Sequence, residues 1–124
     1  MPSFLLDTTI LIDLLRGRSS AQEYINTLSE KPLLSSLTVA EVYAGMRHQR
    51  EILLFEALLK DRVVVPINTQ IAREGGQYRQ QYHPSHGTGI IDALIAATAE
   101  KKGAILVTHN KKHFPMLNNV VVPY

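Results

Sequence analysis

The sequence of 124 residues contains no cysteine. Disulfide bonds, thiol catalysis and cysteine-based zinc sites are therefore excluded, and the composition agrees with a reducing cytosol. No uninterrupted apolar run is long enough to span a bilayer, and no basic leader precedes the first acid, Asp7. We therefore expect a single domain over residues 1–124 that is cytoplasmic and has no membrane contact.

A strong excess of one charge is also missing. Thirteen Lys and Arg residues stand against eleven Asp and Glu residues, which gives a formal net charge of +2. This balance permits a polyanionic partner such as nucleic acid, but it does not by itself indicate one.

Apolar segments alternate with helical patterns along the chain. Continuous runs rich in Val, Ile and Leu predict buried strands, and they cover residues 3–6, 32–36, 62–66, 104–108 and 119–123. Helical spacing of apolar residues predicts helices, which cover residues 9–15, 20–30, 38–60 with a break near His48, 69–82, and the segment around Asp92 after a loop at 83–89. This alternation is typical of an α/β fold with a mostly parallel sheet and helices on both faces.

The helix over 69–82 contains Gly75 and Gly76. Each glycine in a helix interior costs about 1 kcal/mol relative to Ala. The helix is therefore expected only if a neighbouring element packs closely at this point.

Three acids do not lie among polar neighbours as surface acids do. Asp7 directly follows the first predicted strand, Glu41 lies within LTVAEVYAG, and Asp92 lies within GIIDALIAATA. An ionised carboxylate in an apolar environment costs several kcal/mol unless it is paired, hydrogen-bonded or bound to a cation. Each of these positions therefore requires a partner.

Each acid also has a local explanation. Asp7 can cap the following helix, and Glu41 matches a capping box with Thr38, which for that residue alone is the better interpretation. Asp92 can be an ordinary acid in the first turn of a helix, where the helix dipole favours negative charge. Three such acids in one small domain are harder to explain separately.

Gathered at the carboxyl ends of the strands, where ligands bind in such sheets, the acids would repel one another unless a divalent cation lay between them. Oxygen ligands without any Cys favour Mg²⁺ or Mn²⁺. Such an ion lowers the pKa of a bound water and orients a phosphodiester, so hydrolysis of nucleic acid is the resulting hypothesis.

Several segments carry a resemblance to a known family: DTTILIDLLRG, TVAEVYAG, GIIDALIAATA, LVTHNKKHF and a terminal VVPY. In order and spacing they resemble the PIN-domain ribonucleases, in particular the VapC-type toxins of bacterial and archaeal toxin–antitoxin pairs, over essentially the whole chain. The resemblance implies a PIN-like three-layer α/β/α sandwich with a five-stranded sheet. It further implies a Mg²⁺- or Mn²⁺-dependent endoribonuclease that leaves 5′-phosphate and 3′-hydroxyl ends, forms a homodimer and pairs with a cognate antitoxin.

The same resemblance assigns roles to the acids. Asp7 and Asp92 would bind the metal directly, and Glu41 would bind it directly or through water and assist in deprotonating the nucleophile. Asn110 falls where the family has a fourth acid and would hold a water or a phosphate oxygen; because it is neutral, a second metal would be held less firmly. Supporting hydroxyl residues fall at Thr8, Thr9 and Thr108.

Basic residues and histidines near these segments have less specific assignments. His109 and His113 are expected to be solvated or capping residues and not metal ligands. Five basic residues are candidates for contacts with RNA phosphates: Arg16, Arg47, Arg50, Lys111 and Lys112. For any one of them, a position on an ordinary solvated face is the better interpretation.

Other functional classes fit the sequence less well. A phosphoacceptor signalling domain needs an Asp at the end of the central strand and a Lys at the end of a late strand, where this chain has Pro66 and Thr108. A phosphatase with a D-x-D nucleophile motif lacks its second acid at Thr9. The remaining alternative is a catalytically degenerate PIN fold that binds RNA or a protein without cutting, which only the neutral Asn110 favours.

Overall fold

A computed structural model describes residues 2–124 of the chain. Its elements, numbered in chain order, are β1 (Ser3–Leu6), α1 (Thr8–Leu15), α2 (Ser19–Asn26), β2 (Leu34–Ser35), α3 (Ser36–Gly45), α4 (Gln49–Leu59), β3 (Val64–Val65), α5 (Thr69–His86), α6 (Ile90–Lys102), β4 (Ala104–Val107), a 3₁₀ turn (Lys111–His113) and β5 (Val120–Val121). Among these described residues, no helix is both long enough and apolar enough to cross a membrane.

The five predicted strands are present and pair in parallel, but their hydrogen bonding divides into two parts. One part has the order β1-β4-β5 and the other pairs β2 with β3. A single parallel bridge between Leu5 and Leu33 joins them, with the Leu33 amide donating to the Phe4 carbonyl at 2.7 Å. The continuous five-stranded ladder that was expected is interrupted because β2 and β3 are only two residues long.

Alternate residues of β1 and β4 face two different hydrophobic cores, as parallel strands covered on both faces require. Leu6 and Val107 pack with Leu11 of α1 and Phe55 of α4. On the other face, Leu5 and Leu106 pack with Ile95, Ala96 and Ala99 of α6 and with Phe114. The predicted arrangement of helices on both faces of the sheet is therefore confirmed.

The break predicted near His48 is confirmed, since α3 ends at Gly45 and α4 begins at Gln49. The loop predicted over 83–89 is mostly wrong, because α5 continues to His86 with Pro84 inside it. Pro84 removes one N–H donor from the helix, and only Ser85 and His86 follow it before α5 ends. The helix instead ends at Gly87, which has φ 68° and donates its amide to the His83 carbonyl.

The close neighbour that Gly75 requires is α6. A Cβ added at Gly75 would lie 2.6 Å from Cδ2 and 3.1 Å from Cα of Leu94, whereas one added at Gly76 would meet nothing within 4 Å. Gly75 therefore allows α5 to approach the backbone of α6, the helix that carries Asp92.

Candidate metal centre and active site

Asp7 lies at the junction between β1 and α1 and is buried. One carboxylate oxygen accepts a hydrogen bond from the Thr8 amide at 2.9 Å, so the capping role is confirmed. The other oxygen accepts from the Thr108 hydroxyl at 2.6 Å. Since Thr108 directly follows β4, the pairing of β1 with β4 fixes the orientation of this carboxylate.

Glu41 lies on α3, but the capping box expected with Thr38 does not form. Helix α3 begins at Ser36 and is capped by Ser35, whose hydroxyl accepts from the Leu37 amide at 3.1 Å. Glu41 is therefore in the helix interior, where its Oε1 accepts from the Thr8 hydroxyl at 2.5 Å. Thr8 follows Asp7 in the chain, so this bond holds Glu41 beside Asp7.

Asp92 lies in the first turn of α6 and is about half-buried. Burial raises the pKa of its carboxyl above the ordinary value, and the negative charge of Asp7 raises this pKa further. His113, with its Nδ1 3.1 Å from Oδ2 of Asp92, lowers the pKa in part, while the charge of Glu41 adds to the increase. The three acids, distant in sequence, thus interact electrostatically.

One cavity of about 440 Å³ brings these acids together with Asn110. The backbone N–H of Asn110 donates to the Thr108 hydroxyl at 3.0 Å, which links Asn110 to the residue that holds Asp7. Thr9, which is exposed, also faces this space, and an apolar wall that the sequence did not predict completes it. The lining residues are Asp7, Thr8, Thr9, Ile12, Glu41, Gly89, Ile90, Ile91, Asp92 and Asn110.

The basic residues proposed to contact RNA are all exposed but not equally close to this cavity. Lys111 and Lys112 directly follow Asn110 on the 3₁₀ turn. The Arg16 guanidinium is 3.9 Å from the Glu51 carboxylate, and Arg47 and Arg50 lie near the start of α4. Of these five described side chains, none lines the cavity itself.

Comparisons with known proteins identify the family. The family model of the PIN domain matches residues 4–117. The chain belongs to the PIN-domain family. This PIN domain is 40% identical to Ribonuclease VapC19 of Mycobacterium tuberculosis over 97% of the chain and 98% of that protein, and 35% identical to Ribonuclease VapC10 of the same organism over 97% and 92%. A solved toxin–antitoxin complex from Klebsiella pneumoniae contains a chain with a TM-score of 0.85 and 31% identity, with 98% of both chains covered.

The donor set of this PIN domain fits a hard divalent cation. Three carboxylates and the side-chain carbonyl of Asn110 supply oxygen donors around the cavity, and a cation would balance the negative charges that raise the pKa of Asp92. Within residues 2–124, no three His, Asp or Glu side chains are gathered closely enough to hold a metal by themselves. Mg²⁺ commonly takes one or two carboxylates and completes its coordination with water and substrate phosphate, so a site of this kind does not require three protein acids.

Two histidines of the PIN domain differ from the expected solvated or capping role. His113 contacts Asp92, and His109 lies with Nε2 3.8 Å from the Asp13 carboxylate while packing edge-on against Tyr124. Their partners are distant in sequence, so no local pattern could have indicated them. Thr38, whose hydroxyl is 3.3 Å from that of Thr8, was also missed as a site residue, although it lies one turn before Glu41 on the same helix.

Proposed function

We propose that this chain is a VapC-type toxin, an endoribonuclease that requires Mg²⁺ or Mn²⁺ and hydrolyses RNA phosphodiesters to 5′-phosphate and 3′-hydroxyl ends. One observation carries the proposal most directly. Acids from three separate places in the fold, the β1–α1 junction, α3 and α6, line a single cavity in which the charges of Asp7 and Glu41 raise the pKa of Asp92. The ribonuclease names of the curated relatives support the same activity.

In this proposal Asp7 and Asp92 bind the metal directly, and Glu41 binds it directly or through water and helps to accept the proton of the attacking water. Thr108 and the Thr8 amide hold the Asp7 carboxylate, and the Thr8 hydroxyl holds Glu41. Asn110 binds a water or a phosphate oxygen at the cavity, and Thr9 supports this site. When bound, the ion activates water and neutralises the charge that develops on the phosphodiester.

The substrate is proposed to approach along exposed basic residues outside the cavity. Lys111 and Lys112 are best placed, since they follow Asn110 directly. Contacts to phosphate confer affinity without sequence preference. Arg16, Arg47 and Arg50 are retained as further candidates.

The proposed partners are a cognate antitoxin and a second copy of this chain. The neighbour solved as a toxin–antitoxin complex supports the antitoxin, whereas the homodimer comes from the family resemblance and is tested by light scattering of the purified protein. A cytoplasmic location belongs to the same proposal, because the substrate is cellular RNA.

Cleavage of a mixed RNA pool by the purified protein tests the activity. The reaction is run with Mg²⁺, with Mn²⁺ and with EDTA, and the product ends are identified by their susceptibility to a 5′-phosphate-dependent exonuclease. The variants are Asp7→Asn and Asp92→Asn, each of confirmed fold. The matched control is Asp61→Asn, which changes an exposed acid that contacts Lys31 and lies outside the cavity.

We expect metal-dependent cutting that Asp61→Asn retains and that each site variant reduces by more than about 100-fold, since even outer residues of a metal site commonly contribute 10–100-fold. Cutting that persists in both site variants would contradict the proposed site. RNA binding without cutting in either metal would support the degenerate PIN fold instead.

A further inference from the structure

His113 contacts Asp92 from outside the cavity. Its Nδ1 lies 3.1 Å from Oδ2 of Asp92, yet His113 is not among the residues that line the cavity. A carboxylate only accepts hydrogen bonds, so Nδ1 carries the proton at this contact. His113 therefore occupies one oxygen of Asp92 without entering the space in which a cation would bind.

The turn that carries His113 is fixed on several sides. The hydroxyl of Thr88, which is fully buried, donates to the His113 carbonyl at 2.8 Å. The His113 amide donates to the Asn110 carbonyl at 2.9 Å, and the next residue, Phe114, is 1% exposed in the core beside α6. The imidazole thus extends from a rigid support, which is what precise placement of another side chain requires.

The contact also joins parts of the chain that have no local reason to meet. Asp92 and His113 are separated by the remainder of α6 and by all of β4, and the turn that presents His113 begins directly after Asn110. Among the basic side chains and histidines of residues 2–124, only His113 places a nitrogen within 4 Å of the Asp92 carboxylate. An interaction that merely neutralised a surface acid would not need a buried Thr88 and a core Phe114 to hold it.

We infer that His113 is a positioning residue: its Nδ1–H orients the Asp92 carboxylate so that the other oxygen is presented to the cation. The inference rests on the proposed function, because it assumes that Asp92 is a metal ligand. Side chains that hydrogen-bond to metal ligands fix the orientation of those ligands, and their loss commonly costs 10–100-fold in metal affinity or activity. His113 itself touches neither metal nor RNA in this account.

Two polar variants separate positioning from a general structural role. His113→Asn retains an N–H donor two bonds from Cβ, the position of Nδ1, whereas His113→Gln moves the donor one bond further, to the position of Nε2. Both variants are uncharged and both remove the imidazole. If the position of the N–H donor matters, the two variants should differ in Mn²⁺ affinity. A loss of imidazole packing or of charge would affect both variants alike.

The experiment measures Mn²⁺ affinity by isothermal titration calorimetry of the wild-type protein, the two His113 variants, Asp92→Asn and an exposed-histidine control, His86→Asn. Melting temperatures in EDTA are recorded for all of them. Cleavage of RNA is then measured as a function of Mn²⁺ concentration.

We expect His113→Gln to weaken Mn²⁺ binding about 10–100-fold, with cutting restored by excess Mn²⁺, while His113→Asn and His86→Asn stay within a few-fold of wild type. Equal Mn²⁺ affinity for wild type and His113→Gln would overturn the positioning role of His113 but leave the proposed function standing. So would equal losses in both His113 variants together with a lowered melting temperature in EDTA, which is the signature of a structural role. Absence of Mn²⁺ binding by the wild type would overturn the proposed function as well.

Discussion

The contact between α5 and α6 offers a quantitative test of the packing that supports the site. Gly75 and Gly76 are adjacent in α5, but only Gly75 faces another element. Replacing each in turn by Ala adds the same methyl group to the same helix in two different environments. The pair of variants therefore serves as its own control.

The magnitude follows from two opposing contributions. Replacing Gly by Ala in a helix interior stabilises by about 1 kcal/mol. At Gly75 the new Cβ would lie 2.6 Å from Leu94 Cδ2, which can rotate away, but also 3.1 Å from Leu94 Cα, which cannot. Overpacking of this kind costs about 1–3 kcal/mol. Gly75→Ala should therefore be neutral to about 2 kcal/mol destabilising, and Gly76→Ala about 1 kcal/mol stabilising.

The assay is urea denaturation followed by circular dichroism, with the free energies of unfolding of the two variants compared directly. The gain in helix propensity is common to both variants and cancels in the difference between their free energies of unfolding. Gly76→Ala should therefore be more stable than Gly75→Ala by about 1–3 kcal/mol. Each kcal/mol corresponds to roughly 4 °C in melting temperature. Equal stability of Gly75→Ala and Gly76→Ala would show that α6 does not pack against Gly75.

Three further predictions follow from contacts near the site. In EDTA, the pKa of Asp92 is raised in the folded state, so the folded protein retains a proton that the unfolded chain has lost. The free energy of unfolding should therefore fall as the pH rises from the ordinary carboxyl pKa through the raised one. Urea titrations of Asp92→Asn should lack this fall. Tyr124→Phe removes a hydroxyl that donates to the half-buried Asp13 carboxylate at 2.6 Å, and it should lower the free energy of unfolding by about 1 kcal/mol in urea. Lys111→Ala and Lys112→Ala should each weaken RNA binding and reduce the slope of log affinity against log salt by about 1 in filter binding.

Each of these predictions has a matched control. A pH dependence of stability unchanged in Asp92→Asn would show that other groups cause it. Tyr43→Phe removes an exposed hydroxyl that is 3.3 Å from Glu56 and should have little effect; equal effects in the two tyrosine variants would contradict the second prediction. Lys102→Ala changes a basic residue in the last turn of α6, at the opposite end from Asp92, and a salt slope reduced as much there would contradict the third.

What the sequence predicted well depends on local patterns. Strand β1 was predicted at its observed bounds, and Asp7 at the strand end both caps α1 and faces the cavity. Burial of an individual element is visible in its own sequence, as runs of Val, Ile and Leu in the strands and as the helical spacing of apolar residues around Asp92. The α/β fold and the three acids could therefore be predicted before any contact between elements was known.

What the sequence did not predict depends on competition between local signals or on distant contacts. Ser35 and Thr38 are both of residue types that cap helices, and Ser35 is the one that caps α3, so Glu41 lies in the helix interior and the expected capping box does not form. Pro84 indicated a loop, but α5 continues past it to the glycine at position 87. The contact between His113 and Asp92 arises only when the segment after β4 returns to α6, which no sequence spacing reveals.

The position of Mn²⁺ in crystals of this protein, located by anomalous diffraction, tests the proposed metal site directly. We expect a peak inside the cavity, within bonding distance of oxygens of Asp7 and Asp92, that disappears in Asp92→Asn crystals. A peak bound elsewhere, or an empty cavity at a Mn²⁺ concentration that supports RNA cleavage, would contradict the proposed site.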